Sequence, residues 1–180
     1  IAIDNVLVNH EGKLIEDVGY FWDHADKRHL IAHDYLIANY VCSSAKHYPL
    51  EFRRFIKKED AKERGITFQD HNELVRELVD WTIQQNIPGD FTFDSYFTNA
   101  ANLNYIHENG RGYVGDLKFN RKIIFKAQEM KAQELAAQIP VQARKPLQVE
   151  SGGKVKTQWY FTTCVRIPNV KHPVRLVILW

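Results

Sequence analysis

The apolar positions of this chain come mainly in short β-type blocks, with helical spacing in only a few places. Ile1–Ile3 is an apolar run that stops at Asp4. Residues 17–22 are aromatic and predict a second strand, and residues 30–41 (Leu30, Ile31, Tyr35, Leu36, Ile37, Tyr40, Val41) predict a third. Asn9-His10-Glu11-Gly12-Lys13 between the first two carries turn chemistry, with Gly12 free to take positive φ. Three strands joined by short connections predict an antiparallel meander. Residues 42–69 are mixed in charge and broken by Pro49 and Gly65, which predicts loop.

The period then changes. Asp70-His71-Asn72-Glu73 reads as a capping box, and Leu74, Leu78 and Trp81 follow on one helical face until Asn86 and Pro88-Gly89. Phe91-Thr92-Phe93 is a brief strand that stops at Asp94. Thr98 or Asn99 can cap a helix carrying Ala100, Leu103 and Ile106, closed by Asn109-Gly110. Residues 113–117 predict a strand, and the Ala/Gln/Glu-rich stretch 127–139 predicts a helix stopped before Pro140. Strand-like text follows at 147–150, 156–167 and 174–180, with a turn at Ser151-Gly152-Gly153. The order is β-β-β-α-β-α-β, then a helix and a β-rich tail. That is the ribonuclease-H-like order: an α/β (α+β) mixed sheet with helices, occupying residues 1–140, followed by a β-rich tail at 141–180. A different α+β arrangement or a Rossmann-like fold is the alternative, although no Gly-rich phosphate loop is present.

Composition narrows the class. The 180 residues are 44% hydrophobic and 26% charged, enough apolar content for a core and against wholesale disorder. No apolar run approaches the roughly 20 residues of a membrane span. The net charge of +2 hides two unlike parts. Residues 1–110 carry 11 Lys and Arg against 18 Asp and Glu, whereas residues 111–180 carry 13 against 4. A basic back half suggests a polyanionic partner, although surface charge also drifts without function. Cys42 and Cys164 have no metal spacing and no adjacent base, so both read as inert thiols in a reducing compartment. The chain has no initiator Met and begins and ends in strand-like text, which predicts a fragment of a longer protein.

The candidate chemistry sits at strand ends. Asp4 and Asp94 each follow a short apolar strand. If those strands are neighbours, the two carboxylates meet at one sheet edge and suit Mg²⁺, a hard ion that takes oxygen ligands and keeps several waters. An Asp after a strand is also ordinary turn chemistry. His24 beside Asp23 is a candidate for a metal edge or a phosphate, or a turn histidine bonded to backbone. Lys118 and Arg121 after a strand are candidate phosphate contacts, or simply a solvated basic strand end. Trp22, Trp81 and Trp159 read as packing residues, and His33 beside Asp34 reads as a satisfied core histidine.

Four segments occur in order: Ala2-Ile3-Asp4-Asn5, Tyr20-Phe21-Trp22-Asp23-His24, Phe93-Asp94-Ser95-Tyr96-Phe97-Thr98 and Gly115-Asp116-Leu117-Lys118-Phe119-Asn120-Arg121. Together they resemble the DDE transposases of bacterial insertion sequences, which carry an I-D-D-T-like first motif, a D-H pair, a D-S-W/Y-F/Y second motif and an L-K-x-N-R segment. The resemblance covers nearly the whole chain.

It implies a ribonuclease-H-like catalytic domain that cleaves and transfers DNA strands at element ends with two Mg²⁺ or Mn²⁺ ions, and it makes the β-rich tail at 141–180 the start of the family's β-rich insertion lobe. Asp4 and Asp94 match the two catalytic, metal-binding aspartates. Lys118, Asn120, Arg121 and His24 are the DNA-contact candidates. The implied partners are terminal-repeat and target DNA, with a homodimer on paired ends, no membrane, and a bacterial cytoplasmic, nucleoid-associated location. Asn5 departs from the family's second Asp. No Glu stands in the family's Y-x2-R-x3-E-x6-K pattern, so the third carboxylate is expected beyond Trp180 and the fragment alone is expected to be inactive. A nuclease of the same fold without strand transfer, or a catalytically dead DNA-binding remnant, are the alternatives.

Overall fold

The computed structural model describes residues 1–11, 15–44, 46–151 and 153–180. The turn expected at Gly12-Lys13, and Gly152 of the turn expected at 151–153, lie outside the described residues. The fold is mixed α+β and separates into two compact units, residues 1–116 and 117–180.

The first unit is built on one sheet. Strand β1 (Ala2–Asn9) pairs antiparallel with β3 (Arg28–Val41) over eight positions, from Ala2↔Asn39 to Asn9↔Ala32. The other edge of β3 is shared. Strand β2 (Gly19–Asp23) takes its first part, up to Ala32, and β4 (His47–Phe55) takes Asp34–Val41. On the far side of β1 come β5 (Phe91–Phe93) and β6 (Tyr113–Gly115), both parallel. The short helix α1 (Lys58–Glu63) follows β4. Helix α2 (His71–Gln84) leads into β5, and α3 (Ala100–Glu108) joins β5 to β6.

The meander therefore forms, but its members differ from the expected ones. The neighbour of β1 is β3, the third antiparallel strand is β4, and β2 is a hairpin extension at one end of β3. The loop expected over 42–69 is corrected: it contains β4 and α1. The reason is a reversed polarity. Glu51 and Arg53 pair with buried Ala38 and Leu36 and so point toward the helix-covered face, where Arg53 Nε donates to Glu77 Oε2 of α2 at 3.1 Å. Phe52 points outward and is 58% exposed. A strand with charges inside and an aromatic outside lacks the usual signature. Pro49 is tolerated because β4 is an edge strand and Pro49 sits at its register shift opposite Asn39.

One sheet face is buried under α2 and α3. It presents Ile1, Ile3, Ala32, Leu36, Ala38, Phe91 and Phe93, which meet Leu74, Val75, Leu78, Val79, Leu103 and Ile106. The α2 capping box forms as expected. Asp70 accepts from the backbone N–H of Asn72 and Glu73, and Glu73 accepts from that of Asp70. The other face is open, with Val6 and Val8 exposed.

The second unit contains the hairpin β7 (Lys122–Phe125) and β8 (Gln128–Lys131), helix α4 (Ala132–Gln138), and a sheet ordered β11-β10-β9 (Val174–Leu179, Lys154–Val165, Lys145–Ser151). Part of the helix expected over 127–139 is thus a strand. Its hairpin turn uses Lys126 and Ala127 at φ 48° and 65°, left-handed positions that no glycine advertises. The unit begins at Leu117, whereas the sequence suggested 141, because β7 joins the tail: Ile124 bridges Arg166. Its core is Ile123, Leu135, Ile139, Val165, Ile167 and Val170.

Candidate metal centre

Register brings Asp4 and Asp94 together. Ala2 pairs in parallel with Thr92, and the N–H of Thr92 donates to the carbonyl of Ile1 at 2.8 Å. Asp4 follows Ala2 by two residues, and Asp94 follows Thr92 by two. Continuing that register, Asp94, one residue past the end of β5, comes level with Asp4 along the neighbouring strand, and sheet neighbours lie about 4.8 Å apart. Asp4 Oδ1 accepts the N–H of Asn5 at 2.8 Å. Asp94 Oδ1 accepts the N–H groups of Tyr96 and Phe97 at 2.9 and 3.3 Å, which orders the loop that leaves β5.

The electrostatics follow. The Asp4 carboxyl is raised above its ordinary range, first by desolvation against the surrounding protein and further by the negative charge of Asp94. The Asn5 N–H opposes both. Asp4 and Asp94 are both exposed.

A polar network holds the Asp94 loop from behind. Thr98 Oγ1 donates to the Asp94 carbonyl at 2.8 Å. Asn99, the α3 N-cap, accepts from the N–H of Asn102 and donates to Asn72 Oδ1 of α2 at 2.7 Å. Fully buried Asn102 donates to Asn72 Oδ1 and to the Phe97 carbonyl, and accepts from Arg76 at 3.1 Å. Gly115 on β6 closes the arrangement: a Cβ there would lie 2.5 Å from Thr98 Oγ1 and 2.8 Å from Phe93 Cε2. Asn72, Arg76, Asn102 and Gly115 were not apparent as site residues. The available signal was polar residues at Asn72 and Asn102 on otherwise apolar helix faces.

Other candidates lie elsewhere. His24 follows β2 and is exposed, with its ring 6.5 Å from that of Trp22. Asp4 pairs with Ile37 and β2 ends opposite Arg28, nine residues along β3, which is about 30 Å at the strand rise. His24 is therefore not brought to the carboxylates. His33 is corrected from a core residue to a half-buried one on the open face. Its Nε2 donates to the Glu16 carbonyl at 2.8 Å, and its Nδ1 lies 2.7 Å from His10 Nε2. Its neighbour Asp34 is the buried one. Trp22 and Trp159, expected to pack, are 44% and 42% exposed, while Trp81 is half-buried.

Lys118, Asn120 and Arg121 belong to the second unit. There they line a cavity of about 430 Å³ with Lys122, Pro168 and Asn169. The N–H of Arg121 donates to the Lys118 carbonyl at 2.8 Å, which folds the segment into a turn. Among the described residues, no group of three or more His, Cys, Asp or Glu is placed to hold a metal ion. Comparison with family models, curated proteins and solved structures finds no match to this chain.

Proposed function

We propose that this chain is catalytic-domain sequence of an insertion-sequence DDE transposase, acting on DNA phosphodiesters. The observation that carries the reading is the register that sets Asp4 of β1 beside Asp94 at the end of parallel β5, with the charge of Asp94 acting on Asp4. The order β1, β3, β4 antiparallel, then α2, β5, α3, β6 supports it, as this is the ribonuclease-H-like order with β2 as an addition.

The donor set fits a hard divalent ion. Asp4 and Asp94 supply carboxylate oxygens, and Mg²⁺ or Mn²⁺ accepts few protein ligands because it retains water. When bound, such ions supply an activated water or 3′ hydroxyl and charge stabilisation at phosphorus. In this reading Asp4 and Asp94 hold the cations, the Asn72–Asn99–Asn102 network keeps the Asp94 backbone in place, and Lys118, Asn120 and Arg121 contact DNA phosphates. The full-length protein would cut element ends and join them to target DNA as a dimer on paired ends, in a bacterial cytoplasm. No described helix is long and apolar enough to cross a membrane.

Mn²⁺ binding followed by electron paramagnetic resonance tests the pair. Asp94→Asn and Asp4→Asn should each weaken binding at least tenfold, and unchanged binding in both would remove the metal centre. In the full-length protein, Asp94→Asn should abolish Mg²⁺-dependent end cleavage while DNA binding persists. Retained cleavage would remove Asp94 from the chemistry. The alternative reading is a DNA-binding chain with no catalysis of its own. That reading expects DNA binding without nicking in the full-length protein.

A further inference from the structure

The second unit carries 12 Lys and Arg against 3 Asp and Glu, and strand register sorts these charges onto faces. In an antiparallel sheet directly opposed residues share a face. Tyr160 is opposite Lys145, Cys164 is opposite Arg175, and Lys154 and Lys156 share their parity on β10. Lys145, Lys154, Lys156 and Arg175 therefore lie on one face. All four are exposed, as are Leu147, Val177 and Leu179 on the same face, so the face is open to solvent at these positions.

Among the described residues this face holds no acid. Glu150, the acid of the sheet, is opposite Val155 and so lies on the reverse. None of the four cations is ion-paired among the described residues, in contrast to Lys122 of the same unit, which reaches Glu129 at 2.7 Å. Four unpaired cations without a counter-charge leave a positive stripe that charge complementarity assigns to a polyanion. From Lys154 to the Cys164–Arg175 pair is ten residues of strand, about 34 Å, close to one turn of duplex DNA.

We infer that the open face of the β9–β10–β11 sheet docks the sugar–phosphate backbone of duplex DNA through Lys145, Lys154, Lys156 and Arg175. The inference rests on the nucleic-acid part of the proposed function and not on the metal centre. The contacts are charge to phosphate and carry no sequence preference.

The test is fluorescence anisotropy of a labelled duplex of about two turns, titrated with the 180-residue chain over a range of NaCl. The fourfold variant Lys145→Gln, Lys154→Gln, Lys156→Gln, Arg175→Gln should lose at least tenfold in affinity. The slope of log affinity against log salt should shrink by about 0.9 per cation removed. A thermal melt matching the wild type confirms that the variant folds. Val177→Glu, an acid placed on the same face, should weaken binding in the same direction.

Cys164 provides a readout without any variant. Duplex DNA should slow its alkylation, while Cys42 in the other unit reacts as before. Wild-type affinity and salt slope in the fourfold variant overturn the proposal, and if Lys118→Gln with Arg121→Gln then abolishes binding, the functional reading survives. No duplex binding by the wild-type chain overturns both. Binding to phosphatidylserine vesicles but not to duplex would assign the face to a membrane surface instead.

Discussion

Asp34 and His71 form a polar contact inside the first unit: Asp34 Oδ2 on β3 lies 2.8 Å from His71 Nε2 at the start of α2. Asp34 is only 3% exposed, and the imidazole stacks on Phe55 with ring centres 3.9 Å apart. The contact ties the first turn of α2 to the sheet centre. His71→Ala would leave a buried carboxylate without this partner, with Asp34 Oδ1 already lacking one. The expected loss is about 2–3 kcal/mol by urea denaturation. Asp34→Asn, which keeps a hydrogen-bonding side chain, should cost less than Asp34→Ala.

The raised Asp4 carboxyl has a pH consequence. A carboxyl raised in the folded state binds more protons than the unfolded chain at intermediate pH, so it lowers stability as pH rises through that range. Asp4→Asn should therefore be the more stable protein at neutral pH, and the gain should vanish once pH falls below the ordinary Asp range near about 3.9. Asp94→Asn should bring the Asp4 carboxyl down toward its ordinary value, because one source of repulsion is gone. Side-chain NMR titration of Asp4 measures the second effect, and denaturation across pH measures the first.

Gly115 tests how the Asp94 loop is held. Gly115→Ala forces a methyl against Thr98 and Phe93, at a cost of about 1–3 kcal/mol, the range for overpacking. Because Thr98 holds the Asp94 carbonyl, the same change should weaken Mn²⁺ binding. A variant that loses stability but binds Mn²⁺ normally would separate the glycine from the site.

The α2 cap gives a local control. Asp70→Ala removes the acceptor for two backbone N–H groups and should cost about 1 kcal/mol in thermal or urea unfolding. It should leave Mn²⁺ binding unchanged, since Asp70 supplies no contact to the Asp94 loop among the described residues.

Several elements were legible because their signal is local. The α2 cap at Asp70, the α3 cap at Asn99 and the ends of β5 and β3 all follow from short-range chemistry. Strand β4 was not legible, because its inward residues, Glu51 and Arg53, are charged; they pair with each other, and Arg53 also pairs with Glu77 on a helix 24 residues away. The β7–β8 hairpin was hidden because Lys126 and Ala127 adopt left-handed backbone without the usual residues. His33 was misread because its neighbours Ala32 and Asp34 are the buried ones, and one step along a strand changes the face.

By itself the sequence determined which residues could carry chemistry and the charge division: two aspartates at strand ends, and a basic back half. It also determined that strands would outnumber helices. Pairing was decided only in three dimensions. Whether Asp4 meets Asp94 depends on β5 lying parallel beside β1 with Ala2 opposite Thr92. Whether four scattered cations share one face depends on the β9–β10–β11 register. Both are long-range choices, made by how each strand buries its apolar side and finds hydrogen-bond partners for its backbone, and neither is encoded in any local window.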